Sequence, residues 1–273
     1  MKTLLERAKA KHVGVGAFNV GNMEMIIGAI KAAEECQTPI ILQIAEVRFK
    51  HSPLALMGPM MVEAAKKAKV DVAVHLDHGL TIEAVKQTLN YGFTSVMFDS
   101  STYPYDENIK RTKEVVELAK KYGATVEAEL GHVGGSEDGS KENKVLYTDP
   151  NQACDFVNKT GVDALAVAIG NAHGNYLTAP KLAFDVLDQI ANTVAIPLVL
   201  HGGSGISDLE FKKLIKHGIV KVNIATATFN CLTKESEQYL LNNNKHNYFD
   251  LNLAMVKGSY NNIKHHIKVF NCE

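Results

Sequence analysis

The chain has 273 residues, of which 46% are hydrophobic and 22% are charged, and its formal net charge is -1. This balance is typical of a globular protein and argues against a nucleic-acid or anionic-membrane partner, both of which attract strongly basic surfaces. No apolar run of about 18 residues occurs, and the opening MKTLLERAKAKH lacks the apolar core of a secretion signal. We therefore expect a cytoplasmic protein whose four scattered cysteines are reduced.

Eight short apolar segments recur along the chain, and stretches of helical composition separate them. The strand candidates are 13–19, 39–45, 71–77, 94–99, 124–130, 163–169, 197–202 and 220–225. Because they are nearly continuous apolar runs, they are typical of strands buried on both faces of a parallel sheet. Helix candidates include 22–36, 81–91, 106–122, 150–160, 181–191 and 207–217. This alternation predicts an α/β fold, specifically a (β/α)8 TIM barrel.

The pattern changes after residue 228. The segment QYLLNNNKHNYFDLN, residues 238–252, is rich in Asn, so we predict a loop there between two terminal helices. Neither an internal repeat nor a second domain is indicated. We therefore expect one domain over 1–273, with extra C-terminal helices forming an extension at about 229–273.

Most predicted strands end in, or lead directly to, a polar or titratable side chain. These residues are Asn19, Asp77, His78, Asp99, Glu127, Glu129, His173, His201 and Asn223. In a (β/α)8 barrel the carboxyl ends of all strands meet at one mouth, which is where functional sites lie. The sequence therefore predicts that these side chains converge.

Three of these residues, His78, His173 and His201, are histidines. Three protein ligands with an open fourth position are typical of catalytic zinc, and the nearby carboxylates of Asp99 and Glu129 suit a second or displaced metal position. The alternative is that each histidine is an ordinary core or surface residue. His75 is expected in the core or directly behind the metal ligands, whereas surface positions are expected for His12, His51, His217, His246, His265 and His266.

The segment LHGGSGISDLEF, residues 200–211, combines a glycine-rich loop with a helix start. Gly202, Gly203 and Gly205 permit backbone conformations that turn several N–H groups toward one point. SDLE (207–210) matches a capping box, so a helix and its positive dipole end begin there. Together with NIAT (223–226), the loop predicts a phosphate cradle, with a plain tight turn as the alternative.

The loop LGHVGGSEDGSKENK, residues 130–144, is long for a connection between a strand and a helix. Long loops at a barrel mouth often act as lids. Glu137 and Asp138 would then be acid–base groups on a lid, and a solvated flexible loop is the alternative.

Six motifs stand in a specific order: HLDHG, SVMFDSS, VEAELGHVGG with EDG, AVAIGNAHG, LVLHGGSGI and KVNIAT. In this order and spacing they resemble the class II ketose-bisphosphate aldolases, which include fructose- and tagatose-1,6-bisphosphate aldolases. The resemblance runs from about residue 3 to 228, and more loosely to the end. It implies a zinc-dependent homodimer or homotetramer that reversibly cleaves a ketose 1,6-bisphosphate to dihydroxyacetone phosphate and glyceraldehyde 3-phosphate.

The resemblance also implies roles for individual residues. Asp77 would exchange a proton with the C4 oxygen, and Glu137 would transfer a proton at C3. Zinc would be held by His78, His173 and His201, with an alternative metal position at Asp99 and Glu129. Substrate or phosphate would contact Asn19, Gly174, Gly202, Gly203, Ser204, Asn223 and Thr226. A monovalent cation, K⁺ or Na⁺, would lie by Gly174, Gly202 and Ser204.

Two positions depart from the fructose-cleaving pattern. Many fructose-type relatives have an acidic or amide residue in place of Ala225 and a lysine near Leu177, whereas tagatose-type relatives resemble this chain. The C4 stereochemistry of the substrate therefore stays open. Arg48, Lys50 and Lys257 are further candidates for phosphate contact, with a surface role as the alternative.

Two other functions stay open at this point. A Schiff-base aldolase on the same barrel would use Lys221 as its nucleophile. However, Lys221 alternates with Val220 and Val222, which predicts that it faces outward to the helices, and the three histidines would then go unexplained. A non-catalytic metal- or sugar-phosphate-binding protein is the other alternative.

Overall fold

A computed structural model describes residues 1–135, 146–174 and 180–272 of the chain. Within these residues, eight parallel strands close into a barrel in sequence order, with β8 pairing with β1. The predicted (β/α)8 barrel is thereby confirmed. The strands are β1 (Val15–Asn19), β2 (Ile40–Ala45), β3 (Val72–Gly79), β4 (Ser95–Phe98), β5 (Thr125–Leu130), β6 (Ala164–Val167), β7 (Leu198–Leu200) and β8 (Ile219–Ile224).

Helices follow the strands, and a short 3-10 turn (Glu46–Arg48) comes after β2. The helices are α1 (Lys2–Lys11), α2 (Met23–Glu35), α3 (Leu54–Lys67), α4 (Ile82–Tyr91), α5 (Tyr105–Lys120), α6 (Pro150–Thr160), α7 (Phe184–Thr193), α8 (Asp208–Lys216), α9 (Thr226–Asn242) and α10 (Tyr248–Phe270). The predicted capping box at the start of α8 is present, with Ser207 and Glu210 bonding each other's backbone. None of the described helices has the length and apolar character that crossing a membrane requires.

Helix α1 closes the amino-terminal end of the barrel. Its residues Leu5 and Ala8 are buried against a layer of small apolar side chains that includes Ala17, Ala73 and Ala166. Small side chains leave room for a helix to approach the strand ends closely. The polar interior residues above this layer are therefore separated from solvent on that side.

The Asn-rich segment 238–252 is mostly helical, so the loop predicted there is wrong in extent. Helix α9 continues to Asn242 and α10 begins at Tyr248, which leaves only 243–247 between them. One of the asparagines is a helix cap: Asn247 Oδ1 accepts hydrogen bonds from the N–H groups of Phe249 and Asp250. Asparagine composition alone does not distinguish a cap from a loop.

His266 is buried, although the sequence analysis predicts a surface position. Its side chain packs against the aromatic rings of Phe18, Phe211 and Phe270, and its Nδ1–H donates to the Asn262 carbonyl at 2.8 Å. Burial lowers the pKa of the imidazole to about 4, because the charged form is poorly solvated there. His266 is therefore neutral in the folded protein at pH 7.

We expect His266 to make the protein less stable at pH 5 than at pH 7 by about 2 kcal/mol. An unfolded histidine has a pKa of about 6.5, so the unfolded chain takes up a proton in this range whereas the folded chain does not. This contribution is complete above the unfolded pKa and is lost as the pH falls toward 4. Denaturant unfolding at both pH values, for the wild type and His266→Asn, measures it.

The variant should lose about 2 kcal/mol of the pH dependence, because asparagine does not titrate. His265→Gln is the matched control, since His265 is the exposed neighbour and bonds Asp208 at the surface. An unchanged pH dependence in His266→Asn would contradict the assignment.

Candidate active site

Three histidine side chains lie together at the carboxyl end of the barrel. His78 is the penultimate residue of β3, His173 lies in the segment after β6, and His201 directly follows β7. Each offers one ring nitrogen, and these atoms all lie within 4.8 Å of one another. The ring centroid of His78 is 4.9 Å from that of His173 and 4.6 Å from that of His201. The structure thus brings together the three residues that the sequence singled out.

Carboxylates bonded to two of these rings determine which nitrogen faces the cluster. His78 Nδ1 donates to Asp99 Oδ2 at 2.8 Å, and His201 Nε2 donates to Glu127 Oε1 at 2.9 Å. Because a carboxylate only accepts, a neutral His78 ring carries its lone pair on Nε2. His201 lies between two carboxylates, with Glu127 at Nε2 and Glu129 Oε2 3.0 Å from Nδ1, so its Nδ1 can bind a metal once it has lost its proton. Imidazoles oriented in this way suit a divalent ion, and three of them fit the ligand set of catalytic Zn²⁺.

A second group of metal-capable side chains overlaps the first. His78, Asp99 and Glu129 also offer ligand atoms within 4.8 Å of one another. Glu129 Oε2 lies 3.0 Å from His201 Nδ1, so the two groups are adjacent. The donor atoms therefore fit either an all-nitrogen position or a mixed nitrogen–oxygen position, and His78 belongs to both.

The end of β3 turns Asp77 and His78 toward the same site. Successive side chains on a regular strand point to opposite faces, so one of the two would ordinarily face away. Here His78 has a φ of +41°, and the pairing of β3 with β4 shifts register between Leu76 and Gly79. A bulge with a left-handed residue re-aims side chains in this way. As a result, His78 Nε2 lies 4.0 Å from Asp77 Oδ1.

Asp77 is fully buried, and two amides hold its carboxylate. Asn19 Nδ2 donates to Asp77 Oδ2 at 2.8 Å, and Asn223 Nδ2 donates to Asp77 Oδ1 at 3.0 Å. Burial acts to raise the pKa of the carboxyl, but positive charge on His78 and its neighbours outweighs burial and keeps the pKa below its ordinary value. Asp77 is therefore an oriented carboxylate that can accept a proton.

The other titratable groups of the cluster respond to the same two influences. Burial acts to lower the pKa of His201, yet its hydrogen bonds to carboxylates raise it above the ordinary value. The pKa of His173 falls well below its ordinary value, mainly through burial. For Asp99, burial acts to raise the pKa, but the hydrogen bond from His78 and those from Ser101 bring it down.

The loop after β7 lies against the start of α9. Gly203 N–H donates to the Asn223 carbonyl at 3.1 Å, and Ala227 N–H donates to Ser204 Oγ at 3.1 Å. Thr226 is the first residue of α9, and Ala225 precedes it as the N-cap. The predicted phosphate-binding residues of strands 7 and 8 are thereby brought together at a helix N-terminus.

Gly202 brings the loops after β6 and β7 into contact. Its φ is +64°, and a Cβ added there would lie 2.1 Å from the carbonyl oxygen of Ala172, next to His173. Gly174, the residue after His173, also has a positive φ. Only a residue without a side chain allows the two backbones to approach so closely.

We expect Gly202→Ala to lower the free energy of unfolding by clearly more than Gly161→Ala. Both glycines have a positive φ, so each alanine costs about 1 kcal/mol in backbone strain. At residue 161 nothing lies within 4 Å of the new methyl group, whereas at residue 202 the Ala172 carbonyl must move. Denaturant unfolding measures the difference, and equal losses would contradict it. Zinc affinity should fall only in Gly202→Ala, because His173 adjoins the displaced backbone.

Glu137, Asp138 and Leu177 fall outside the described residues. The guanidinium of Arg48 stacks over the Phe229 ring at 5.6 Å, and Lys257 Nζ bonds Glu235 at 3.0 Å.

The whole chain, residues 1–273, matches the family described as fructose-bisphosphate aldolase class-II. The chain belongs to the class II fructose-bisphosphate aldolase family. It is 45% identical to the protein YdjI of Escherichia coli over 223 residues, covering 80% of this chain and 79% of YdjI. A probable fructose-bisphosphate aldolase of Bacillus subtilis is 42% identical over 231 residues, covering 83% and 80%. The crystal structure of the E. coli YdjI aldolase superposes with a TM-score of 0.89 at 36% identity, covering 98% and 95%.

In this class II family member, Lys221 points into the barrel, so the outward orientation predicted for it is wrong. Its side chain is fully buried, and its Nζ lies 2.9 Å from Glu127 Oε2 and 2.7 Å from Asn223 Oδ1. The pairing of β7 with β8 shifts register beside it, since Leu198 pairs with Ile219 but Val199 pairs with Lys221. Alternation is therefore interrupted between Val220 and Lys221, whereas it holds from Lys221 to Asn223, whose side chains both face the interior.

Glu127, a polar residue of strand 5 without a predicted role, is fully buried and contacts both His201 and Lys221. The pattern that indicates a role for it is the two-residue period of strands. Glu127 precedes Glu129 by two positions, and Lys221 precedes Asn223 in the same way. A polar residue two positions before a site residue on the same strand thus also faces the barrel interior, one layer of side chains farther from the mouth.

Proposed function

We propose that the protein reversibly cleaves a ketose 1,6-bisphosphate, fructose- or tagatose-1,6-bisphosphate, to dihydroxyacetone phosphate and glyceraldehyde 3-phosphate in a zinc-dependent reaction. The observation that carries the proposal is the convergence of three imidazoles beside the buried carboxylate of Asp77 in a class II aldolase barrel. Zn²⁺ held by His78, His173 and His201 would supply electrophilic stabilisation of the negative charge that develops near the substrate carbonyl.

Asp77 serves as the proton acceptor for the C4 hydroxyl in the cleavage direction. As the proton leaves, the C4 oxygen becomes the aldehyde oxygen and the C3–C4 bond breaks. The bonding electrons stay with C3, in conjugation with the C2 carbonyl. In condensation Asp77 returns the proton, which is general acid–base catalysis. Asn19 and Asn223 hold the carboxylate in position through both directions.

Protonation at C3 completes the formation of dihydroxyacetone phosphate. The EDG motif resembles that of the class II aldolases, which supports Glu137 as the group that transfers this proton. Glu137 lies outside the described residues. In this proposal Asp99 and Glu129 provide the alternative metal position.

The loop after β7 and the start of α9 bind one substrate phosphate in this proposal. Backbone N–H groups at a helix N-terminus attract anions, and Gly202, Gly203, Ser204 and Thr226 adjoin that terminus. A monovalent cation, K⁺ or Na⁺, would lie by Gly174, Gly202 and Ser204. This placement rests on the resemblance, and both glycines have a positive φ.

The protein is further proposed to be a cytoplasmic homodimer or homotetramer. All four cysteines lie among the described residues and none of them forms a disulfide there, as expected in a reducing compartment. Exposed apolar side chains near the α9–α10 connection, such as Leu241 and Phe249, support association with a second copy. Light scattering on the purified protein measures its mass, and a monomer at micromolar concentration would contradict this part of the proposal.

A Schiff-base mechanism lacks support from the surroundings of Lys221. Lys221 Nζ is fully buried and bonds the Glu127 carboxylate and Asn223 Oδ1, so these contacts would have to break before it could attack a carbonyl. Borohydride with substrate should therefore leave the protein active and unlabelled.

The decisive experiment is a coupled assay with both bisphosphates, with and without a chelator. We expect cleavage of at least one of them, its loss on zinc removal and its return on zinc addition. Undiminished turnover by fully demetallated protein would exclude the proposed mechanism. The ratio of the two rates also determines the C4 preference that Ala225 leaves open.

A further inference from the structure

We propose that Lys221 and Glu127 are positioning residues for both halves of this site. Their buried ion pair fixes the ring tautomer of His201 on one side and the amide orientation of Asn223 on the other. In this way one ammonium beneath the site prepares both a metal ligand and the hydrogen bond that holds Asp77. The inference deepens the proposed function and rests on it.

The first side of the pair concerns His201. Glu127 Oε1 accepts from His201 Nε2 at 2.9 Å, and Lys221 Nζ lies 3.1 Å from the same oxygen and 2.9 Å from Oε2. All three side chains are fully buried, so no solvent competes for these bonds. An anchored carboxylate keeps a proton on His201 Nε2, so Nδ1, which lies 3.0 Å from Glu129 Oε2, is the nitrogen that gives up its proton and binds the metal.

The second side concerns Asn223. An ammonium only donates, so the Asn223 atom 2.7 Å from Lys221 Nζ must be the amide oxygen. The amide nitrogen then necessarily faces Asp77 and donates to it at 3.0 Å. Without the ammonium, the amide could turn over and set its oxygen against the carboxylate. Lys221 thereby selects the donor orientation that holds Asp77.

A purely structural ion pair makes a different prediction. Buried ion pairs can often be replaced by uncharged residues of similar volume without loss of the fold. If the pair only filled the barrel, such replacements would change stability but leave the zinc affinity of the folded protein unaltered. Zinc affinity therefore distinguishes the two roles independently of turnover.

The test compares Glu127→Gln with the double variant Glu127→Gln/Lys221→Met. In the single variant, Gln at residue 127 has one amide oxygen, and the N–H groups of Lys221 and His201 compete to donate to it. If the oxygen turns to Lys221, the amide N–H₂ faces His201 and drives its proton onto Nδ1, toward the metal. Competition with a chromophoric chelator should then show a zinc affinity about 10- to 100-fold lower. Methionine at residue 221 removes the competitor, so the oxygen again accepts from His201 and most of the zinc affinity returns.

Turnover should behave differently from zinc affinity. In the double variant kcat should stay low after zinc affinity recovers, because nothing then orients the Asn223 amide. Ser95→Ala is the matched control: it removes a buried hydrogen bond to His75 in the same barrel interior without touching His201 or Asn223. Its zinc affinity should equal that of the wild type. Wild-type zinc affinity in Glu127→Gln, or no recovery in the double variant, would overturn the inference.

A measurement on the wild-type protein keeps the inference testable if a variant does not fold. Nitrogen NMR of histidine-labelled protein, without and with zinc, reports which ring nitrogen of His201 is protonated. The inference requires a proton on Nε2 in both states, and neutral His201 protonated at Nδ1 alone would overturn it. If the wild type neither binds zinc nor cleaves a bisphosphate, the proposed function fails. The NMR measurement of the His201 tautomer without zinc does not depend on that result and tests the inference by itself.

Discussion

Replacing Asp77 by Asn should lower kcat by about 100- to 10,000-fold while zinc stays bound, the range that a general acid–base group usually contributes. An asparagine at this position is nearly the same size but cannot take the C4 proton. Its amide nitrogen would also oppose the N–H donors of Asn19 or Asn223, which both point at this side chain. The three imidazoles are unchanged, so the metal-binding groups remain.

Steady-state kinetics and zinc content on the same preparation measure this result. Asp71→Asn is a suitable control, because Asp71 immediately precedes β3 and pairs with Arg7 on the surface at the opposite end of the barrel. It should retain both zinc and turnover. Near-normal aldol cleavage by Asp77→Asn would show that another group moves the C4 proton.

Replacing His78 by Asn should remove zinc and turnover together. His78 belongs to both groups of potential metal ligands, so no described three-residue group remains intact without it. Asparagine tolerates a positive φ better than most residues, which limits the strain at the left-handed backbone of residue 78. The loss of zinc affinity should exceed the about 10- to 100-fold effect of removing a supporting carboxylate.

Asp99→Asn provides that comparison. Asp99 accepts from His78 Nδ1, but the three imidazoles remain when its charge is removed. Metal analysis after gel filtration should find zinc depleted in His78→Asn and retained, with weaker binding, in Asp99→Asn. Excess zinc should restore turnover only in Asp99→Asn. Full zinc occupancy in His78→Asn would mean that the ion lies elsewhere.

The barrel and most of the site could be predicted from local patterns. Eight apolar segments with polar ends indicate parallel strands whose carboxyl ends share one mouth, and His78, His173 and His201 meet there. Capping chemistry is also local, and the Ser207–Glu210 box begins α8 where it was expected. The burial of His266 could not be predicted in this way, because the aromatic residues around it come from distant segments.

The sequence by itself determined the order of the strands and which chemical groups stand at their ends, since strand length and side-chain type are properties of short segments. The tertiary structure alone supplied the bulge that turns the adjacent residues Asp77 and His78 to one site, and the contact between the Lys221 ammonium and the Glu127 carboxylate. Side-chain alternation holds only while a strand keeps register with its neighbours. Register shifts depend on pairing between segments that are far apart in the chain. The partner that compensates the buried Lys221 ammonium, Glu127, also comes from a distant segment.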